Sequence, residues 1–384
     1  MREFHPFVME RWQSTYENRV ERNLSESGVH PLTVAGLLDM AGDTIRDTLI
    51  GYGQSNGSDS LRQTIASLYS GASTDHVCVG NGSAEINFVS LWTLLEPGTS
   101  IAILSPTYMQ AAGLARNMAV EVREIPLRED AGWQPDPADI AAAVTSNTRV
   151  IVVTNPGNPT GTVLSAESRA ALIRAADRVG AWILADEVYA GAELDGPRTA
   201  SFHGTYERVI ATGSLSKAWG LPGLRVGWAV APPAFAEQIW ARKDYTTIGP
   251  GELTDRLATI ALSPAVRPRI LERTKARILA GWSITRDWFD QQGCFTYTTP
   301  AAGAICWARY DLPITSIELA ERLRVEHSVL VVPGSHFERD EFVRIGFGIP
   351  EGELSEALSR VGQFIAGVRS RSGALGVASR DLIA

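Results

Sequence analysis

The stretch RVIATGSLSKAWGLPGLRVGWAVA, residues 208–231, sets two apolar runs on either side of a loop that carries Lys217 and Arg225. Each run is short, rich in β-branched and small residues and bounded by Gly, Ser or Pro, which predicts two strands joined by a shaped loop. A lysine ordinarily keeps its charge on a solvated face. Lys217 instead follows a strand end among small residues, and the chain around it explains why.

Reading outward, VCVG (77–80), SIAILSP (100–106), VEVREIP (120–126), RVIVVTN (149–155) and AWILADE (181–187) repeat the apolar pattern. Amphipathic segments separate them. In AESRAALIRAADRVG (166–180) the apolar residues recur every three or four positions and a glycine closes the run, which predicts a helix. Such alternation predicts an α/β fold with a mainly parallel sheet covered on both faces, a three-layer arrangement. A long helical stretch is expected from about Gly251 to Phe289. Beyond it the runs CFTYTTP (294–300), AICWARY (304–310), VLVVPG (329–334) and FVRIGFG (342–348) predict a second, smaller α+β unit. The expected division is a large domain over 36–255 and a small one built from 1–35 plus 256–384. The small, polar residues from Arg369 to Ala384 are expected to fray.

Composition narrows the function. The 384 residues carry a formal charge of -8 and 45% hydrophobic residues, with no Lys/Arg run of the kind that grips nucleic acid or anionic lipid. Small molecules are the expected partners, with no nucleic acid and no membrane. Cys78, Cys294 and Cys306 are odd in number and lack CxxC spacing, which suits structural thiols in a reducing cytoplasm. The opening MREFHPFVMERW lacks the basic-then-apolar order of a secretory signal. The six histidines show no HExxH spacing, so no metal site is expected.

Asp186 closes the run AWIL, at the end of a strand where open α/β sheets collect their ligands, although a helix cap there is about as good a reading. Lys217 follows RVIATGS and can reach the same rim of the sheet. Partial desolvation at that rim is expected to push its pKa down and make the amine nucleophilic toward a carbonyl. Asn158 in NPGNPTG, taken alone, is as readily a turn residue, and Tyr108 in SPTY an ordinary buried aromatic.

Taken in order, ESGV (26–29), YGQSNGSDSLR (52–62), NGSAE (81–85), SPTY (105–108), NPGNPTG (155–161), DEVY (186–189), SLSKAWGLPGLRVG (214–227), VPGSHF (332–337) and VRIGFG (343–348) form a specific series. Over nearly its whole length the chain resembles the fold-type I pyridoxal 5'-phosphate (PLP) enzymes, specifically the class I/II aminotransferases. ESGV and RKDYTTIGPGELTD (242–255) look more like a subgroup of amino-acid-processing enzymes around capreomycidine synthase. The resemblance implies an aspartate aminotransferase-like fold and PLP as cofactor. The implied activity moves an amino group between an L-amino acid and a 2-oxo acid by a ping-pong aldimine/ketimine mechanism. A PLP-dependent lyase, oxidase or cyclising synthase is the alternative.

Residue roles follow from the same resemblance. Lys217 would bond the cofactor aldehyde and then shuttle a proton, Asp186 would pair with the ring nitrogen, and Asn158 and Tyr189 would hydrogen-bond the 3'-oxygen. Tyr108 would lie on the ring face. Ser83 and Ala84 at a helix N-terminus, with Ser214 and Arg225, would hold the phosphate. Tyr52 would reach the phosphate of a neighbouring subunit, implying a homodimer with shared active sites. Arg344 would bind the substrate carboxylate, with Gly28 giving close backbone approach. Val29, His30, Tyr16 and Thr247 are candidates for the side-chain pocket, and the sequence leaves open which of them point inward.

Overall fold

Every one of the seven apolar runs between Val77 and Ala231 is a strand of one sheet. The computed structural model describes residues 4–42, 45 and 47–378. A two-residue strand, β1 (Arg22–Asn23), precedes the sheet. The sheet is built from β2 (Val77–Asn81), β3 (Ser100–Ser105), β4 (Glu121–Arg128), β5 (Gln134–Pro135), β6 (Thr148–Thr154), β7 (Trp182–Asp186), β8 (Val209–Ser214) and β9 (Val226–Val230). Their order is β2-β9-β8-β7-β6-β3-β4-β5. Strands β8, β7, β6, β3 and β4 run parallel, neighbour to neighbour. β9 is antiparallel to both β2 and β8, and the short edge strand β5, absent from the sequence reading, is antiparallel to β4.

Strand residues alternate between two cores. On β3, Ala102 and Leu104 face one apolar cluster while Ile101 and Ile103 face the other. On β6, Ile151 and Val153 go to the first cluster and Val150 and Val152 to the second. A strand buried on both faces needs apolar residues at every position, which is why these runs are continuous rather than alternating. The helix Ala166–Val179 covers the first face through Ala171, Leu172, Ala175 and Ala176. Ser165 caps its start by accepting from the Ser168 amide, and Gly180 ends it at φ +66°. The helix Gly82–Leu94 covers the other face through Ile86, Val89, Leu91 and Leu94.

The helical stretch expected from Gly251 to Phe289 is two helices, Glu252–Leu262 and Arg267–Gln292. Ser263 breaks it at ψ 150° because Pro264 follows, and the ring of a proline clashes with a helical residue before it. The remaining strands are β10 (Phe295–Tyr297), β11 (Ile305–Tyr310), β12 (Val329–Leu330), β13 (Val332–Pro333) and β14 (Phe342–Gly346). Four of them form an antiparallel sheet in the order β10-β11-β14-β13, and β12 pairs in parallel with β1. The N-terminal segment is thereby tied to the C-terminal third of the chain. The last helix, Glu351–Ala378, continues into the tail that was expected to fray, and residues 379–384 lie outside the described ones. Among the described residues no helix is long and apolar enough to cross a membrane.

Register then fixes the rim. Thr154 on β6 pairs with Asp186 on β7, and Asp186 with Thr212 on β8, so the C-terminal ends of three parallel strands meet at one level. β9 passes beside the start of the helix Gly82–Leu94 so closely that a Cβ added at Gly227 would lie 2.2 Å from the Ser83 nitrogen. Replacing Gly227 by Ala should therefore destabilise the fold by about 2 kcal/mol through overpacking against backbone. Thermal melting checks this, and an unchanged melting temperature would contradict the close approach.

Candidate active site

At this rim lies a cavity of about 370 Å³ that brings together Lys217, Asp186, Tyr189, Asn158, Tyr108, Ser83, Ala84, Ser214, Arg225 and Arg344. These ten residues come from sequence positions 83 to 344 and meet only through the fold. A roomier hollow of about 620 Å³, beside Gln54, Arg62 and Trp240, contains none of them.

One end of the cavity is built for an anion. The helix Gly82–Leu94 begins there, and its first-turn amides have no carbonyl within the helix to serve. Gly82 sits at φ +78°, and a Cβ on it would be 2.4 Å from Arg225 Nη2, so the missing side chain is what admits the guanidinium. Arg225 is itself left-handed at φ +49° and donates from Nη1 to Ser216 Oγ at 3.3 Å and to the Pro222 carbonyl at 3.0 Å. Ser214 Oγ accepts from the Ser216 amide at 3.2 Å. Two hydroxyls, a guanidinium and a helix N-terminus match the oxygens of a phosphate monoester.

The cavity also holds Asp186, 7% exposed at the end of β7. Its Oδ2 accepts from Asn87 Nδ2 at 2.9 Å and its Oδ1 from the Val188 amide at 3.2 Å. Burial pushes its pKa up, while the Asn87 and Val188 hydrogen bonds and the charge of Lys217 act against that rise. Tyr189, also buried, donates its hydroxyl to Ser27 Oγ at 2.9 Å. Tyr108 donates to Glu10 Oε1 at 3.0 Å and meets Phe7 edge to face at 4.9 Å.

Arg344 is 1% exposed on β14. Nη1 donates to Asn158 Oδ1 at 2.8 Å and Nη2 to the Ser25 carbonyl at 2.6 Å, while Nε has no partner. Among the described residues no carboxylate is bonded to this buried guanidinium, and with an unused donor it is short of an anion. Gly28 lies over Lys217, where an added Cβ would stand 3.5 Å from Lys217 Cδ and 3.2 Å from the Ser216 carbonyl.

Lys217 corrects one expectation. Its Nζ donates to Glu26 Oε1 at 2.7 Å, and the same oxygen accepts the Ser27 and Gly28 amides at 2.8 Å each. Burial is the largest single influence and lowers the lysine pKa, as the sequence suggested, but the charges of Glu26 and Tyr189 and the Glu26 hydrogen bond together outweigh it and the pKa is raised. Burial likewise pushes Glu26 up, yet the charge and hydrogen bond of Lys217 and the Gly28 amide prevail and hold it at about 2. The pair is therefore ionic through the neutral range. The Glu26→Gln variant should lower the Lys217 pKa, measured by NMR titration of labelled lysine in cofactor-free protein; an unmoved titration would contradict the pairing.

The expected side-chain pocket is also corrected. Val29, His30, Tyr16 and Thr247 do not line this chain's cavity. Val29 is buried in the core, His30 is exposed, Tyr16 packs on Trp12 beneath Arg324, and Thr247 bonds to Glu85. The wall is instead supplied by Met9, Glu10, Gln13 and Glu17 from the N-terminal helix Val8–Tyr16 and its end. Positions 10, 13 and 17 share one helical face by their three- and four-residue spacing, a signal present in the sequence but not used. Tyr52, expected to reach a neighbouring subunit rather than this chain's own cavity, is fully exposed and bridges to Gly251.

The profile of the family described as Aminotransferase class I and II matches residues 36–361. The chain belongs to that family. It is 31% identical to capreomycidine synthase of Streptomyces vinaceus over 364 residues, covering 92% of each protein. Among solved structures it is similar to a PLP-dependent aminotransferase from Streptococcus suis 89-1591, with TM-score 0.90, 30% identity, and 96% and 99% of the two chains covered. It is also similar to the PLP-dependent cyclase OrfR, with TM-score 0.87, 26% identity, and 97% and 99% covered. The chain is thus a PLP-dependent enzyme of the aminotransferase superfamily with the aspartate aminotransferase-like α/β fold.

Proposed function

We propose that the enzyme removes the α-amino group of an L-amino acid and returns one to a 2-oxo acid, with Lys217 and Asp186 acting on opposite ends of one PLP. The observation that carries the reading is the shared cavity, which is lined at once by a phosphate cradle, a buried carboxylate and a lysine. When bound, PLP supplies an electron-accepting ring that makes the substrate Cα–H bond acidic. Asp186 would supply negative charge to the ring nitrogen, so that the ring could accept electrons. Asn158 and Tyr189 would hydrogen-bond the 3'-oxygen. Lys217 Nζ would carry the proton taken from Cα. Arg344 takes the substrate carboxylate, and Asn158, already bonded to Arg344, links that carboxylate site to the cofactor site.

A cyclising or eliminating reaction is the second reading, supported by the similarity to capreomycidine synthase and to the cyclase OrfR. A half-reaction separates the two. With an amino donor alone, transamination releases one equivalent of oxo acid and leaves pyridoxamine 5'-phosphate, both resolved by chromatography. Release of ammonia, or product formation with PLP regenerated, assigns the second reading and overturns the first.

The side chain of the substrate faces acids. Glu10, Glu17 and Glu26 all line the cavity, and Glu17 is pushed up first by its burial and then by the charges of Glu26 and Glu10. Carboxylates that repel one another across a pocket favour a cation between them. A substrate with a positively charged side chain fits. Glu10→Gln and Glu17→Gln should each raise KM for arginine or lysine by about tenfold while changing KM for norleucine less than twofold. Equal effects on both classes would contradict the assignment.

Two chains complete the unit in this reading. The bridge between Tyr52 and Gly251 joins two segments whose side chains Leu49, Ile50, Tyr52, Tyr245 and Ile248 are largely exposed, an apolar face that a second copy would cover. The buried free thiols of Cys78, Cys294 and Cys306 support a reducing compartment such as the cytoplasm.

A further inference from the structure

The carboxylate of Asp186 is held by a relay that begins on another strand. Thr212 Oγ1 donates to Asn87 Oδ1 at 3.0 Å, and Asn87 Nδ2 donates to Asp186 Oδ2 at 2.9 Å. Because the threonine hydroxyl serves the amide oxygen, the amide nitrogen is turned toward the aspartate. Register places the threonine, since Thr212 on β8 is the Cα partner of Asp186 on β7. All three side chains are buried.

Asn87 has a second attachment. It lies four residues after Ser83 on the helix Gly82–Leu94, one turn along the same face. One helix therefore presents its N-terminal amides to the anion site and, one turn later, a side-chain donor to the Asp186 carboxylate. The two cannot drift apart without unwinding that turn.

We propose that Asn87, aligned by Thr212, is a positioning residue for PLP, keeping the Asp186 carboxylate ionised and oriented toward the ring nitrogen. The carboxylate is taken out of water at the end of a buried strand, which favours its neutral form. A charge-assisted donor at 2.9 Å favours the ionised one. Leucine at 87 would fill much of the same volume but leave the carboxylate with the Val188 amide alone, and a protonated Asp186 gives the ring nitrogen no anionic partner.

The test uses the full chain stripped of cofactor, in the variants Asn87→Leu, Thr212→Val and Thr212→Ser. Three quantities are read: PLP affinity by fluorescence titration, inorganic phosphate affinity by calorimetry, and the Asp186 titration by NMR of labelled aspartate. Asn87→Leu is expected to weaken PLP binding about tenfold and to move the Asp186 titration to higher pH. Phosphate affinity is expected to stay within about twofold, because the anion end is held by other groups. Thr212→Val should shift both readings in the same direction by less, and Thr212→Ser, which keeps the hydroxyl, should restore them. Unchanged PLP affinity and titration in Thr212→Val and Asn87→Leu would overturn the proposal. So would a parallel loss of phosphate binding, which would mark collapse of the helix start instead.

Discussion

Everything in this site depends on keeping a carboxylate and an ammonium group apart but in one cavity, inside a structure that penalises each charge on its own. Asp186 sits at the end of β7 with two hydrogen-bond donors, and Lys217 sits on the loop after β8 against Glu26. Had the two charges been left to pair with each other, the cavity would close on an internal salt bridge. Separate partners hold them apart within the one cavity, as the proposed roles of both residues toward PLP require.

Parallel β-sheet supplies the distances. Side-by-side strands end at one level, so residues separated by tens of positions, such as Thr154, Asp186 and Thr212, fall into one row. The antiparallel strand β9 then returns Arg225 to the start of the helix Gly82–Leu94, and two glycines, Gly82 and Gly227, remove the side chains that would block the approach. The antiparallel sheet contributes the remaining element, Arg344, through β14. Its guanidinium is bound to the Ser25 carbonyl of the N-terminal segment, so the loop carrying Glu26 and Gly28 is fastened to the same strand.

Much of this was legible in the sequence. The continuous apolar runs forecast the strands because burial on both faces leaves no alternation to misread, and of the nine motifs that carry the family resemblance seven supply residues to the cavity, YGQSNGSDSLR and VPGSHF being the exceptions. The misses have physical causes. The break at Ser263 was passed over because helical periodicity continues on both sides of Pro264. The Lys217 pKa was assigned from burial alone, since a partner 191 residues away in sequence cannot be seen without the fold. Asn87 lay hidden inside an apolar helix, where one amide looks incidental until Thr212 and Asp186 are placed beside it. The acids of the N-terminal helix went unused because nothing in their spacing says that this helix, rather than a loop, closes the cavity.

What Lys217 does once PLP is present is the centre of the account. Borohydride reduction of the loaded enzyme, followed by proteolysis and mass spectrometry, converts any carbon–nitrogen double bond between lysine and cofactor into a stable adduct. The account predicts one pyridoxyl phosphate mass on the peptide containing Lys217 and on no other. An adduct on Lys243 or Lys275, or none at all, would contradict it.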